Sequence, residues 1–340
     1  MSSSFVGYGE LLLRMTPKDH GSLIIQSDIL QKGYAGAEAN ILCDLAHWGH
    51  TADFVSAFPA NPLGRGGEQF LNMHGVSSKY TFCDDGRMGS YFIEHGTSIR
   101  GTKVTYDRKY SSVTQCVIKT DTWNEILSNA EFFIITGITP ALSQICQENL
   151  RRALEVAKTN EVKVVFDLNF RRTLWNKNKA KKSFDSILPF VDILIGNIGS
   201  AYDVFDIPFG EISDFESLKK VSWSSLEQLD ELGNFEAIGM TLRLQKGANK
   251  NVLGGLLKIG PTHYYSNPIP TEIVDRLGGG DAFVAGMLHG MINSWDHSRT
   301  INFATASFAV TQTLHGDINY CTEEEIESIA GGNTSGYVKR

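Results

Sequence analysis

Four short, unbroken apolar runs punctuate the middle of the chain: FFIIT at 132–136, VKVVF at 162–166, VDILI at 191–195 and AIGMTL at 237–242. Continuous rather than alternating apolarity marks strands buried on both faces, as in a parallel sheet covered by helices. Residues 141–160 between the first two runs place Leu142, Ile145, Leu150, Leu154 and Val156 close to helical spacing. Strand, helix, strand, helix predicts a doubly wound α/β fold, in which ligands gather beyond the carboxyl ends of the strands. At those ends stand Gly137, then DLNFR at 167–171, GN at 196–197, Arg243, and DRLGGGD at 275–281. Two stretches break the rhythm. Residues 21–27 (GSLIIQS) and 88–112 read as antiparallel strands with one wet face, the latter alternating polar with β-branched and aromatic residues, and predict a small sheet projecting from the main body.

The length of 340 residues admits one large domain with an appendage or two equal domains. No apolar run approaches the roughly 20 residues of a spanning helix, and Glu10 and Arg14 interrupt the N-terminal apolar stretch, so a cytoplasmic protein is expected. With 31 Lys and Arg against 38 Asp and Glu the net charge is -7, which disfavours nucleic acid or an anionic membrane as partner. Any bound anion must be held by a local arrangement. Five scattered cysteines form no CxxC motif or Cys/His cluster and read as free thiols. The basic stretch 176–182 reads as a solvated face.

The stretch 273–290 concentrates the chemistry. Gly278, Gly279 and Gly280 run into Asp281, which opens an almost wholly apolar helix. Glycines leave their N–H groups uncovered, and a helix N-terminus directs those donors and its positive dipole end at one spot. An aspartate there is either a helix cap or a base beside an anion site. Competing motifs fail: GYGELL at 7–12 lacks the third glycine of the dinucleotide fingerprint, and no GxxxxGK[ST] occurs. A nicotinamide enzyme or P-loop kinase is not expected.

DRLGGGDAFVAG at 275–286 resembles the C-terminal signature of the ribokinase-like, PfkB-type carbohydrate kinases, and residues 35–49 (AGAEANILCDLAHWG) with 61–67 (NPLGRGG) resemble their N-terminal signature. DLNFRRTLW at 167–175, YDRKYSS at 106–112 and HGDINYCT at 315–322 are most similar to the 2-keto-3-deoxygluconate kinase branch. The resemblance implies a ribokinase-like α/β domain over 1–330, with lid segments at about 13–34 and 88–116 and a C-terminal tail at 331–340. It also implies ATP and magnesium, and a kinase acting on the terminal (C6) hydroxyl of that sugar acid. Asp281 would be the base, and the amides from Gly278 to Asp281 an anion hole. Gly36, Asn40, Tyr91, Tyr106, Arg108, Asn169, Arg171 and Asp281 would bind the sugar acid. Asn197, Arg243, Lys246, Gly278, Gly280 and Asn302 would serve the nucleotide, with Asp167 a water-mediated contact to metal. A sugar acid needs cationic donors for its carboxylate, and Arg108 with Arg171 would supply them. A homodimer through the lid strands is the expected assembly, with no nucleic-acid or membrane partner.

Plainer readings stand beside these. The tyrosines are packed sheet aromatics, Arg108 a surface ion pair with Asp107, Asp167 and Asn169 loop caps, Arg243 and Lys246 solvated charges, Asn302 a polar helix residue. One departure from the resemblance stands out: where the family usually carries an acid after the strand at 191–195, positions 198–200 are Ile, Gly and Ser, leaving Asp203 one helical turn on to compensate. A fructokinase or other neutral-sugar kinase, or a sugar-binding protein with weak turnover, remain alternative readings.

Overall fold

The computed structural model describes residues 4–336; residues 337–340 of the expected tail lie outside the described residues. In chain order its strands are β1 (Ser4–Tyr8), β2 (Leu12–Pro17), β3 (Leu30–Ala35), β4 (Thr51–Pro59), β5 (Val76–Asp84), β6 (Ser90–Glu94), β7 (Lys103–Asp107), β8 (Phe132–Thr136), β9 (Lys163–Asp167), β10 (Ile193–Gly196), β11 (Ala237–Gln245), β12 (Lys250–Ile259), β13 (Thr262–Tyr265) and β14 (Ile269–Glu272). The large sheet has the order β13-β12-β11-β10-β9-β8-β1-β4-β5, with β14 also on β12. From β11 through β5 every pairing is parallel, and only β12, β13 and β14 are antiparallel additions at one edge.

The unbroken apolar runs are explained by two cores. Phe133, Ile135, Val164, Phe166 and Leu194 point into one, while their neighbours Ile134, Val165, Ile193 and Ile195 point into the other, across the sheet. A side-chain period of two with both faces covered leaves no polar position. Parallel pairing also gathers the carboxyl ends of β1, β8, β9, β10 and β11 along one rim. The chain runs outward from β1 to β4 and β5, then restarts on the other side at β8, so the topological switch lies between β1 and β8.

The helix Gly279–Ile292 is buried on nearly every side. It packs between the second core and the helix His297–Thr311, and Gly286 makes the contact close: a Cβ there would lie 2.9 Å from Ala304 Cα. A helix so enclosed holds its first turn rigidly against the rim.

The small sheet has the order β3-β2-β6-β7. β2 pairs β3 antiparallel and β6 parallel, and β6 pairs β7 antiparallel with Tyr91 opposite Tyr106. The strand expected at 21–27 does not form. A single 3-10 turn occupies Ile24–Gln26, Gly21 sits at φ 83°, and Ile25 is exposed. The segment forms part of the connection from β2 to β3, which pair directly with each other.

Candidate active site

The last glycines before the buried helix are not equivalent. Gly278 takes the cap position at φ 73°, in the left-handed region, and a Cβ there would overlap the Asp317 carbonyl oxygen. Gly279 faces the core, against Gln312 and Phe308, whereas a Cβ on Gly280 would meet nothing within 4 Å. The open side of Gly280 faces a cavity of about 430 Å³ that Gly278 and Asp281 also line. The first-turn amides of this helix have no intrahelical acceptor, so their donors and the dipole end are left for whatever fills that space.

Asp281 does not open the helix. It is the third helical residue, the cap being Gly278. Its carboxylate is buried and accepts a hydrogen bond from Asn40 Nδ2 at 2.7 Å. Asn40 is held in turn, its Oδ1 accepting the Gly36 N–H at 3.2 Å, and a Cβ on Gly36 would collide with the Glu10 backbone. Burial pushes the Asp281 carboxyl well above the usual carboxylate range; the negative charge of Asp167 adds to this, while the Asn40 donor and the positive charge of Arg171 oppose it. A carboxylate poised in this way suits proton abstraction at neutral pH.

Asp167 ends β9 and lines the same cavity, its carboxyl pushed up to about 6 chiefly by burial. It accepts the Asn169 N–H at 3.1 Å, and Asn169, at φ 28°, turns the chain so that Asn169 and Arg171 join the lining. Asn197 lines the cavity as well, its Oδ1 capping the helix Ile198–Phe205 through Ser200 N–H. Arg243 joins the lining from β11. Its guanidinium lies over the Phe308 ring at 5.3 Å.

Tyr91, Tyr106 and Arg108 cluster on the small sheet. The tyrosine rings are 5.9 Å apart and Arg108 lies 5.3 Å from the Tyr106 ring centre. Contrary to the expected convergence, Arg108 and Arg171 do not share one cavity. Arg108 is buried and bound to Glu10 Oε2 at 2.5 and 2.7 Å, and Asp107, its alternative partner, pairs instead with Arg87. Two nucleotide candidates also fall away from the cavity. Lys246 is exposed at the β11–β12 turn, and Asn302 accepts from Asn267 N–H and donates to the Ser298 carbonyl. Asp203, one turn after the acid absent at 198–200, does not line the cavity, and its two oxygens accept from Arg172 at 2.5 and 2.8 Å.

Several site-forming charges escaped the sequence reading. Arg14 of β2 donates to both Asp275 and Asp317, all three buried, and Tyr91 Oη donates to Asp317 at 3.1 Å. Burial opposes the Arg14 charge, but Asp317, Tyr91 and Asp275 together hold its pKa above the ordinary value. Glu38, buried two residues before Asn40 in the same helix, accepts from Thr136 at the end of β8 and from Thr139 in the short helix Thr139–Leu142 that follows. Arg276 enters the cavity lining beside Leu277. The signal was present in part: Glu10 and Arg14 are charges inside an apolar run, and Asp275, Arg276 and Asp317 lie within the stretches that carried the resemblance.

Residues 3–325 match the family model for pfkB family carbohydrate kinases. The chain belongs to that family. A 2-dehydro-3-deoxygalactonokinase of Haloferax volcanii is 30% identical to it over 99% of both chains. The solved structure of a 2-dehydro-3-deoxygluconokinase from Thermotoga maritima superposes with a TM-score of 0.91 at 35% identity, covering 97% of this chain and all of the other. That of a putative 2-keto-3-deoxygluconate kinase from Enterococcus faecalis gives 0.88 at 26% identity, covering 100% and 99%. As a family member the chain is a carbohydrate kinase. The ribokinase-like fold and the separate small sheet agree with the sequence reading, and among the described residues no helix is long and apolar enough to cross a membrane.

Proposed function

We propose that this kinase transfers the terminal phosphoryl group of ATP to the C6 hydroxyl of 2-keto-3-deoxygluconate. The observation that carries the proposal is the setting of Asp281: a buried carboxylate of raised proton affinity on the first turn of a rigid helix, steadied by Asn40 and bordered by the open face of Gly280. Asp281 takes the hydroxyl proton as the oxygen attacks in line, and the amides from Gly278 to Asp281 stabilise the charge on the group in transit. Gly36, Asn40 and Asn169 bind hydroxyls, and Arg171 faces the substrate carboxylate as a forked donor. Tyr91, Tyr106 and Arg108 approach from the small sheet, which closes as a lid and excludes water. Asn197, Arg243, Gly278 and Gly280 take the nucleotide.

Magnesium is the expected companion of ATP, and when bound it neutralises polyphosphate charge. The residues present build no cage for it: among the described residues no three His, Cys, Asp or Glu side chains are placed to hold a metal ion, Asp203 does not line the cavity, and Asp167 is left for a water-mediated contact. Magnesium would then be held chiefly by the phosphates of the nucleotide, with Asp167 reaching it through water.

The galacto epimer is a second acceptor worth testing, because the Haloferax volcanii relative is a 2-dehydro-3-deoxygalactonokinase. A coupled ADP assay with both epimers and fructose tests the proposal. Turnover of a 2-keto-3-deoxy sugar acid, with Asp281→Asn inactive yet still binding it, is expected. Preference for fructose, or a variant retaining most of its rate, overturns the substrate or the base assignment respectively.

A further inference from the structure

Arg243 and Arg276 line the cavity together with Gly278, Gly280 and Asp281. Their arrangement is unusual for partly buried cations. Arg276 donates to the Ala248 carbonyl at 2.9 Å, but its Nε is buried without a hydrogen-bond partner. Among the described residues neither guanidinium forms an ion pair with a carboxylate, although Arg14, Arg108 and Arg172 all do. The two also oppose each other: burial and then the charge of Arg276 pull the Arg243 guanidinium down to about 10. Withdrawing two mutually repelling charges even partly from water is costly unless a ligand supplies the counter-charge. The helix Gly279–Ile292 directs its positive end at the same space, which favours an anionic occupant there.

We infer that Arg243 and Arg276 form a paired clamp for the terminal phosphates of the nucleotide, supplying the neutralisation for which this chain builds no protein-held metal. The inference rests on the nucleotide-dependent reading proposed above. Guanidinium forks match phosphate oxygens in pairs of N–H bonds, and they are weakly hydrated enough to be stored in a dry wall until the ligand arrives. Arg171, by contrast, sits near Asp167 and Asp281, whose carboxyls both feel its charge, and belongs to the acceptor end.

Calorimetric titration of the full chain with ADP, AMP and adenosine, each in EDTA and in magnesium, tests the clamp. Wild-type protein should bind ADP in EDTA within about threefold of its affinity in magnesium. Arg276→Gln and Arg243→Gln should each weaken ADP about tenfold or more while changing AMP less than about twofold, and Arg276→Lys should recover part of the loss. Removing one of two opposed cations should leave the ligand-free Tm unchanged or higher, which separates loss of the clamp from misfolding. ADP binding that vanishes in EDTA, variants that bind ADP like wild type, or equal losses for AMP and ADP would each overturn the inference. A wild-type protein that binds the sugar acid but no nucleotide under either condition would instead overturn the kinase reading beneath it.

Discussion

Asp281 illustrates how one residue's chemistry is set by what surrounds it. Its carboxyl binds a proton more tightly in the folded chain than in the unfolded one, chiefly through burial. The stability this group contributes is present at low pH and is lost as pH rises through its raised folded value. Asp281→Asn should therefore raise the Tm of the ligand-free protein by roughly 1–4 °C at about pH 8, with the gap narrowing as pH falls; differential scanning calorimetry across pH checks this. In kinetics, kcat/KM should fall on the acid side with an apparent pKa well above the ordinary carboxylate range, and Asp167→Asn should lower that value by removing a neighbouring negative charge. An acid limb near about pH 4 would show that burial does not perturb the base. The glycines offer a second contrast. Gly278→Ala forces a side chain into the left-handed region and onto the Asp317 carbonyl, so a loss of more than about 2 kcal/mol is expected in urea unfolding. Gly280→Ala should fold normally, since nothing lies within 4 Å, yet cut kcat/KM about tenfold or more by filling ligand space.

At the scale of elements, four central strands, β8 to β11, were legible, while the remaining strands of the main sheet and the connections between elements were not. Runs such as 132–136 announce a two-sided buried strand because each successive side chain must find an apolar core. Residues 21–27 carry apolar side chains too, but a strand also requires a partner edge, which no local pattern reports. Arg14 shows the same limit from the other side. In the sequence it is a charge that interrupts an apolar run; in the fold it is the link from β2 to the loops bearing Asp275 and Asp317. Those partners are 261 and 303 residues away along the chain, beyond any window of periodicity. Arg14→Met should cost about 3–5 kcal/mol, because two buried carboxylates lose their shared counter-ion. Urea denaturation measures that loss, and a variant as stable as wild type would mean that the triad contributes nothing.

For the whole molecule, the small sheet is the part least tied to the main core. β3 and β7 are its edges, and Ile25, Ile99 and Tyr110 on its loops are exposed. Open edges and exposed apolar loops invite pairing with a second copy. A dimer is the expected species in sedimentation velocity, and a monomer at all concentrations tested would leave these edges as solvent surface. The sequence by itself determined the α/β class, four central strands of the main sheet, the family and the glycine–aspartate signature, because each is written in local spacing: an unbroken apolar run, a helical stripe, residues that are near neighbours in the chain. Only the tertiary structure decided that Asp281 answers to Asn40, that Glu10 occupies Arg108, that Asn302 turns away, and that Arg276 joins Arg243 without a counter-ion. Those outcomes depend on which distant charges folding brings within a few ångströms and how dry it leaves them, and neither quantity has a signature in the spacing of residues along a chain.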